Sequence, residues 1–122
     1  MTFVLDHLGH NNGGEDFDTW APAVTELARR CPNVIVKLGA SEEWKVADRG
    51  RFLDHAIQTF GFDRVIAESN WFVNEAMGEA YDHTFVLVRQ SCERLGATRE
   101  QIEAVFCGNA CRVYGIDISA LA

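Results

Sequence analysis

Two polar clusters in this chain sit just beyond short apolar runs. Asp6-His7-Leu8-Gly9-His10 follows Phe3-Val4-Leu5, and Glu68-Ser69-Asn70-Trp71 follows Arg64-Val65-Ile66-Ala67. Lys37 lies near the end of a third run, Val34-Ile35-Val36-Lys37-Leu38. These residue types offer different chemistry. Glu68 is a carboxylate, and on a strand it would share a face with Asn70, two positions on. The amide of Asn70 can orient a carbonyl, but it cannot accept a proton near neutral pH and is a poor metal ligand. Lys37 offers either a cation for an anionic substrate group or a side chain snorkelling at the rim of the sheet. His7 taken alone reads first as a hydrogen-bonding structural residue, with His10 close enough to assist it. Trp71 is either a pocket wall or a packing residue. Active sites of parallel α/β proteins lie at the carboxyl ends of strands, so the clusters read as one site assembled from separate strand ends.

The elements that must position them follow from pattern. Phe3 to Leu5, Val34 to Leu38 and Arg64 to Ala67 read as short buried strands. The middle one is β-branched and bounded by Pro32-Asn33 before and Gly39 after. Near-continuous apolar runs suit a parallel sheet covered on both faces. Between them, Pro22 to Cys31 places Val24, Leu27, Ala28 and Cys31 on one helical face, with Asp18 and Thr19 as candidate caps and Pro22 in the first turn. Arg51 to Phe60 places Phe52, Leu53, Ala56, Ile57 and Phe60 on one face, and Gly61 can end it. A helix from Tyr81 to Leu95 uses Tyr81, Phe85, Val88, Cys92 and Leu95, with Gly96 as its stop. Thr98-Arg99-Glu100-Gln101 fits a capping box and starts another helix, which Gly108-Asn109 interrupts, with Asn109 capping the last turn. His55 and His83 fall on outer helix faces and read as solvated. The order βαβαβ calls for parallel strands, and 122 residues allow at most one domain, spanning 1–122.

Composition narrows the partners. A formal net charge of -7 with no basic stripe disfavours nucleic acid and anionic membrane. No apolar run reaches the length needed to span a bilayer, and Met1 to His7 lacks a basic segment followed by a long apolar one, so no secretory signal is expected. Of the four cysteines, Cys31, Cys92 and Cys107 fall near apolar helical positions. Cys107 and Cys111 would share one face of a continuous helix. No Cys-x-x-Cys or His-x-x-x-His accompanies them, so they read as reduced thiols packing as small apolar residues in a reducing cytoplasm.

Four segments carry a family resemblance. Leu5-Asp6-His7-Leu8-Gly9, Asn33-Val34-Ile35-Val36-Lys37-Leu38, Phe60-Gly61-Phe62-Asp63-Arg64-Val65-Ile66-Ala67-Glu68-Ser69-Asn70-Trp71 and Gly108-Asn109-Ala110-Cys111-Arg112-Val113-Tyr114 stand in order. Together they resemble the amidohydrolase-related family, the lactonase and decarboxylase branch of the metal-dependent hydrolase barrels. The resemblance implies an α/β fold: the C-terminal portion, about three βα units, of a TIM-like (β/α)8 barrel with parallel strands.

It also implies chemistry. In that family a carboxylate activates water to attack a carbonyl, often beside a divalent metal such as zinc or manganese acting as Lewis acid. By resemblance His7 matches the histidine that contacts metal or substrate. Asn70 falls where many members carry an Asp, and Glu68 is the candidate to supply the missing carboxylate. His7, Glu68 and Asn70 are therefore the catalytic candidates, and Lys37, His10 and Trp71 the substrate-binding ones. The family usually carries Lys or Arg at the place of His10, and Pro at the place of Phe72. Its first-strand His-x-His pair has no counterpart here, so no metal is expected on this chain alone. The expected partners are a small carbonyl, lactone or carboxylate substrate and either a second copy of the chain or an N-terminal half-barrel. That last expectation rests on the inner sheet face, where Val34 to Leu38 and Arg64 to Ala67 would lack an opposite wall. A non-catalytic interaction module is the alternative.

Overall fold

The computed structural model describes residues 1–9, 16–39 and 48–121. Three strands, β1 (Phe3–Leu5), β2 (Val34–Leu38) and β3 (Val65–Ala67), form one sheet in the order β1-β2-β3. Both pairings are parallel, with Leu5 opposite Val36 and Leu38 opposite Ala67. Two helices make the crossovers, α1 (Phe17–Arg30) and α2 (Arg49–Phe60). After β3 come α3 (Val73–Ala76), α4 (His83–Arg94), α5 (Arg99–Glu103), a π-helical turn (Ala104–Gly108), α6 (Asn109–Tyr114) and a last turn, Ile118–Leu121.

Side chains alternate across the strands and divide the sheet into two faces. Val34, Val36, Leu38 and Val65 join Trp20, Val24, Ala28, Phe52, Leu53, Ala56, Ile57 and Phe60 in one core beneath α1 and α2. Full burial of a side chain such as Leu53 contributes about 1.5–3 kcal/mol. The register places Lys37 beside Ile66 on the opposite face. There the expectation of bare apolar side chains is not met, because Ile35 and Ile66 are each only 4% exposed. The strands are short, so that face carries few apolar groups, and its carboxyl end belongs to Lys37 and Glu68.

Several local expectations shift. Helix α1 begins at Phe17, so Pro22 lies inside it and neither Asp18 nor Thr19 is the cap. Aromatic packing extends the helix past its proline: Phe17 stands edge-on to Phe52 at 5.1 Å and Trp20 lies 5.0 Å from the same ring. His55 is not simply solvated. Its Nε2 lies 2.9 Å from Thr25 Oγ1 and 3.2 Å from the Ala21 carbonyl, and its ring packs edge-on against Phe17. In α4 the buried face is Thr84, Val88, Ser91 and Cys92, while Tyr81 precedes the helix and is exposed. Cys107 is exposed, with its Sγ 3.7 Å from Cys111 Sγ on the shared face. The capping box at Thr98 forms in both directions.

Two polar side chains tie helices to strands. Arg64, just before β3, donates to Phe60 O at 3.0 Å and to Ala28 O and Cys31 O at 3.3 Å, satisfying carbonyls at the ends of α1 and α2. Asn109 does not cap α6. It is buried, and its Nδ2 donates to Phe62 O at 2.7 Å and Val65 O at 2.8 Å. Because Val36 N donates to Arg64 O, the next carbonyl, Val65, faces the outer edge of β3, where the amide takes it.

The turn after β1 is the strained piece. His7, Leu8 and Gly9 follow one another in the left-handed region, at φ 54°, 59° and 69°. Such a residue other than glycine costs about 1–2 kcal/mol. Leu8 offsets this by being fully buried in the core, and its carbonyl accepts the Trp20 indole N–H at 2.9 Å. Leu8→Ala is expected to lower unfolding free energy by about 3 kcal/mol and Trp20→Phe by about 1 kcal/mol, read from urea denaturation curves. Equal small effects from both would mean that the turn is held some other way.

Candidate active site

Parallel strands bring their carboxyl ends to one side. His7 sits two residues past β1, Lys37 is the penultimate residue of β2, and Glu68 follows β3 directly. The three converge. His7 Nδ1 lies 2.7 Å from Glu68 Oε1, and Lys37 Nζ lies 3.6 Å from Glu68 Oε2. Glu68 is thus divided between an imidazole and an ammonium, with its side chain 17% exposed against 40% for His7. A carboxylate accepts, so His7 Nδ1 donates, and in the neutral ring Nε2 is then the acceptor atom.

Asp6 is a fourth member that side-chain type alone did not mark out. Its Oδ1 lies 2.9 Å from Lys37 Nζ. The signal was its place in the first polar cluster, beside His7. The hydrogen bond from Lys37 holds the Asp6 carboxyl below the usual carboxylate range, against a smaller opposing effect of desolvation. The same bond raises Lys37 above its ordinary value, with desolvation opposing and Glu68 adding to the rise. Lys37 therefore stands between two carboxylates rather than as an unpaired cation.

Asn70 and Trp71 follow Glu68 within three residues. Asn70 takes a left-handed backbone at φ 56°, a conformation in which Asn is enriched, and its carbonyl accepts from Val73 N at 3.0 Å. That opens the short helix α3. Trp71 is 60% exposed, its backbone N–H donating to Ser69 Oγ at 3.2 Å, and Phe72 beside it is 67% exposed. His10 lies outside the described residues. A cleft of about 820 Å³ lies elsewhere, between α2 and α4, and is lined by Arg49, Asp54, Glu79 and Arg94 among others. It holds ion pairs such as Arg49 with Glu79 at 2.6 Å and lacks every residue of the strand-end cluster.

A metal would find few donors here. Among the described residues no group of three or more His, Cys, Asp and Glu side chains could hold one. The cluster offers one imidazole nitrogen, and both of its carboxylates already face an ammonium, so these residues by themselves do not fit a divalent cation. No helix of the described residues is long and apolar enough to cross a membrane.

Comparison with known proteins gives a consistent match. The amidohydrolase family model matches residues 1–116. An amidohydrolase of Burkholderia multivorans, solved with bound zinc, aligns at a TM-score of 0.79 with 32% identity over 95% of this chain and 44% of its own. A structure of an amidohydrolase from the same organism with bound HEPES gives 0.79 and 28%, over 95% and 45%. Amidohydrolase 2 from Bifidobacterium longum subsp. infantis gives 0.66 and 28%, over 95% and 41%. The chain therefore spans less than half the length of these solved structures. No curated protein matches it.

The Asp6–Lys37 contact has a pH signature. A carboxyl held below its unfolded value near 3.9 contributes stability that is full above that value and is lost as pH falls through the lower folded one. Asp6→Asn should flatten the fall in unfolding midpoint below about pH 4 and leave the curve at pH 6 to 8 nearly parallel to that of the parent chain. An unchanged acid limb would show that the contact does not persist in solution.

Proposed function

This chain belongs to the amidohydrolase family, its parallel three-strand sheet a fragment of that TIM barrel, and on that premise we propose that it carries the C-terminal strand ends of a hydrolase site for a small lactone or related carbonyl substrate. The observation that carries the reading is the 2.7 Å contact between His7 Nδ1 and Glu68 Oε1 at the carboxyl ends of β1 and β3. A carboxylate on one ring nitrogen fixes the tautomer and leaves the other to work as a base. In this scheme His7 Nε2 takes a proton from water as the water oxygen bonds to the substrate carbonyl carbon. Glu68 stabilises the imidazolium that results. When the ring carbon–oxygen bond breaks, His7 returns the proton to the leaving alkoxide, and a lactone becomes a hydroxy acid.

The other residues take supporting parts. Lys37, with its ammonium between Asp6 and Glu68, acts through Glu68 by holding that carboxylate toward His7. Asn70 orients the substrate carbonyl with its amide, and Trp71 walls the pocket. Zinc, which one Burkholderia structure holds, would need ligands beyond the described residues, and no step above depends on it.

The test is hydrolysis of small lactones, followed by proton release, with the chain mixed with a polypeptide carrying the N-terminal half of the Burkholderia relative. Turnover is expected. His7→Gln should lower it by about 10²-fold or more, and Glu68→Gln, which keeps an acceptor and removes the charge, by about 10- to 100-fold. A His7→Gln variant as active as the parent would overturn the scheme.

A second reading, that the chain also acts by pairing with another strand, is favoured by β1. It pairs only with β2 among the described residues, and Phe3 is 55% exposed. Phe3 N donates to Asn33 O, so the backbone groups of Val4 face outward along a free edge. The proposed occupant is a strand of the N-terminal half-barrel. Sedimentation of the mixture should show a one-to-one complex, lost on Val4→Pro. Self-association of the chain alone would point to a second copy instead, and a monomer indifferent to the added half would end this reading.

A further inference from the structure

We infer that Gly39 is a positioning residue of the strand-end site, needed because the Glu68 side chain occupies the volume that any larger residue would fill. Gly39 follows β2 directly and is buried. Its backbone lies outside the left-handed region, so conformation does not call for glycine. Space does. A Cβ built on Gly39 would stand 2.6 Å from Glu68 Oε1 and 2.7 Å from Cδ, with Cγ nearer still, whereas real Cβ contacts essentially never fall below 3.0 Å.

Glu68 has little freedom to step aside. Its Oε1 is bound to His7 at 2.7 Å and its Oε2 faces Lys37 at 3.6 Å. The conflict includes Cγ, at the root of the side chain, so relief needs a rotation near the backbone that carries the carboxylate away from both partners. The alternative is to separate β2 from β3, which the ladder at Leu38 and Ala67 resists. One methyl group on β2's exit therefore acts at a distance: it breaks a hydrogen bond between residues of β1's turn and β3's end. By type alone Gly39 reads as a strand stop, and nothing local in the sequence signals that its emptiness is occupied by a residue 29 positions later.

This deepens the proposed function and rests on its His7–Glu68 contact, but its test needs no turnover. Gly39→Ala, Glu68→Ala and the double variant of the full chain form a cycle, read by urea unfolding and by the nitrogen and proton resonances of the His7 ring. Gly39→Ala should lower the folding constant tenfold or more in the parent and less than twofold beside Glu68→Ala. It should also move the His7 Nδ1 resonances to where Glu68→Ala puts them. A Gly39→Ala chain that fails to fold while the double variant folds gives the same answer. Equal penalties in both backgrounds, failure of both to fold, or His7 resonances unmoved by Gly39→Ala would overturn it. Absence of lactone hydrolysis in every chain would sink the catalytic scheme and leave these readouts standing.

Discussion

One carboxylate joins the ends of three strands. Glu68 reaches His7 across 61 residues of sequence and faces Lys37 from the neighbouring strand. A carboxylate this enclosed needs partners, since an ionised group withdrawn from water without them is costly. Its partners arrive only if β1, β2 and β3 run parallel and in register, so that their carboxyl ends share one side. Parallel order in turn demands the crossovers α1 and α2, whose apolar stripes complete the core below the sheet. The cluster sets two acids against one lysine. Electrostatics at the rim and hydrophobic burial beneath it thus impose the same topology.

The first turn shows how tightly the two are joined. His7 is presented by a backbone that spends free energy on successive left-handed residues, and Leu8 recovers it by entering the core. A side chain for chemistry and a side chain for packing sit on adjacent residues and point into different surroundings. Strain of this kind persists where neighbouring structure over-determines it, and here Trp20 does so by binding the Leu8 carbonyl.

What was legible in the sequence was local. The β-branched run at Val34 to Leu38, the Gly61 and Gly96 stops and the capping box at Thr98 depend on residues a few positions apart, and each is found in place. The convergence of His7, Lys37 and Glu68 followed from their places at or just past the carboxyl ends of parallel strands. Less legible was whatever depends on distant partners. Pro22 suggested a helix start, but Phe17 and Trp20 find Phe52 and carry the helix further back. Asn109 suggested a cap, but two carbonyls beside β3 claim its amide. His55 suggested a solvated face, but its Nε2 meets Thr25 and its ring packs against Phe17. Asp6 drew no notice as a site residue because only the fold brings Lys37 to it. In each case a side chain capable of a local role is taken by a tertiary one.

The hold of Asn109 on Val65 governs how the sheet could grow. A strand arriving along the outer edge of β3 would need the Val65 carbonyl, and that acceptor is already engaged by an amide of the same chain. Extension there would be a substitution, one donor displacing another at nearly constant bond count, and slow to begin because a buried side chain must first withdraw. Along β1 no such guard stands among the described residues, and addition would make new bonds outright. Among the described residues the two margins of one small sheet therefore differ in kind: beside β3 the Val65 carbonyl is held by Asn109 of α6, and beside β1 no strand pairs.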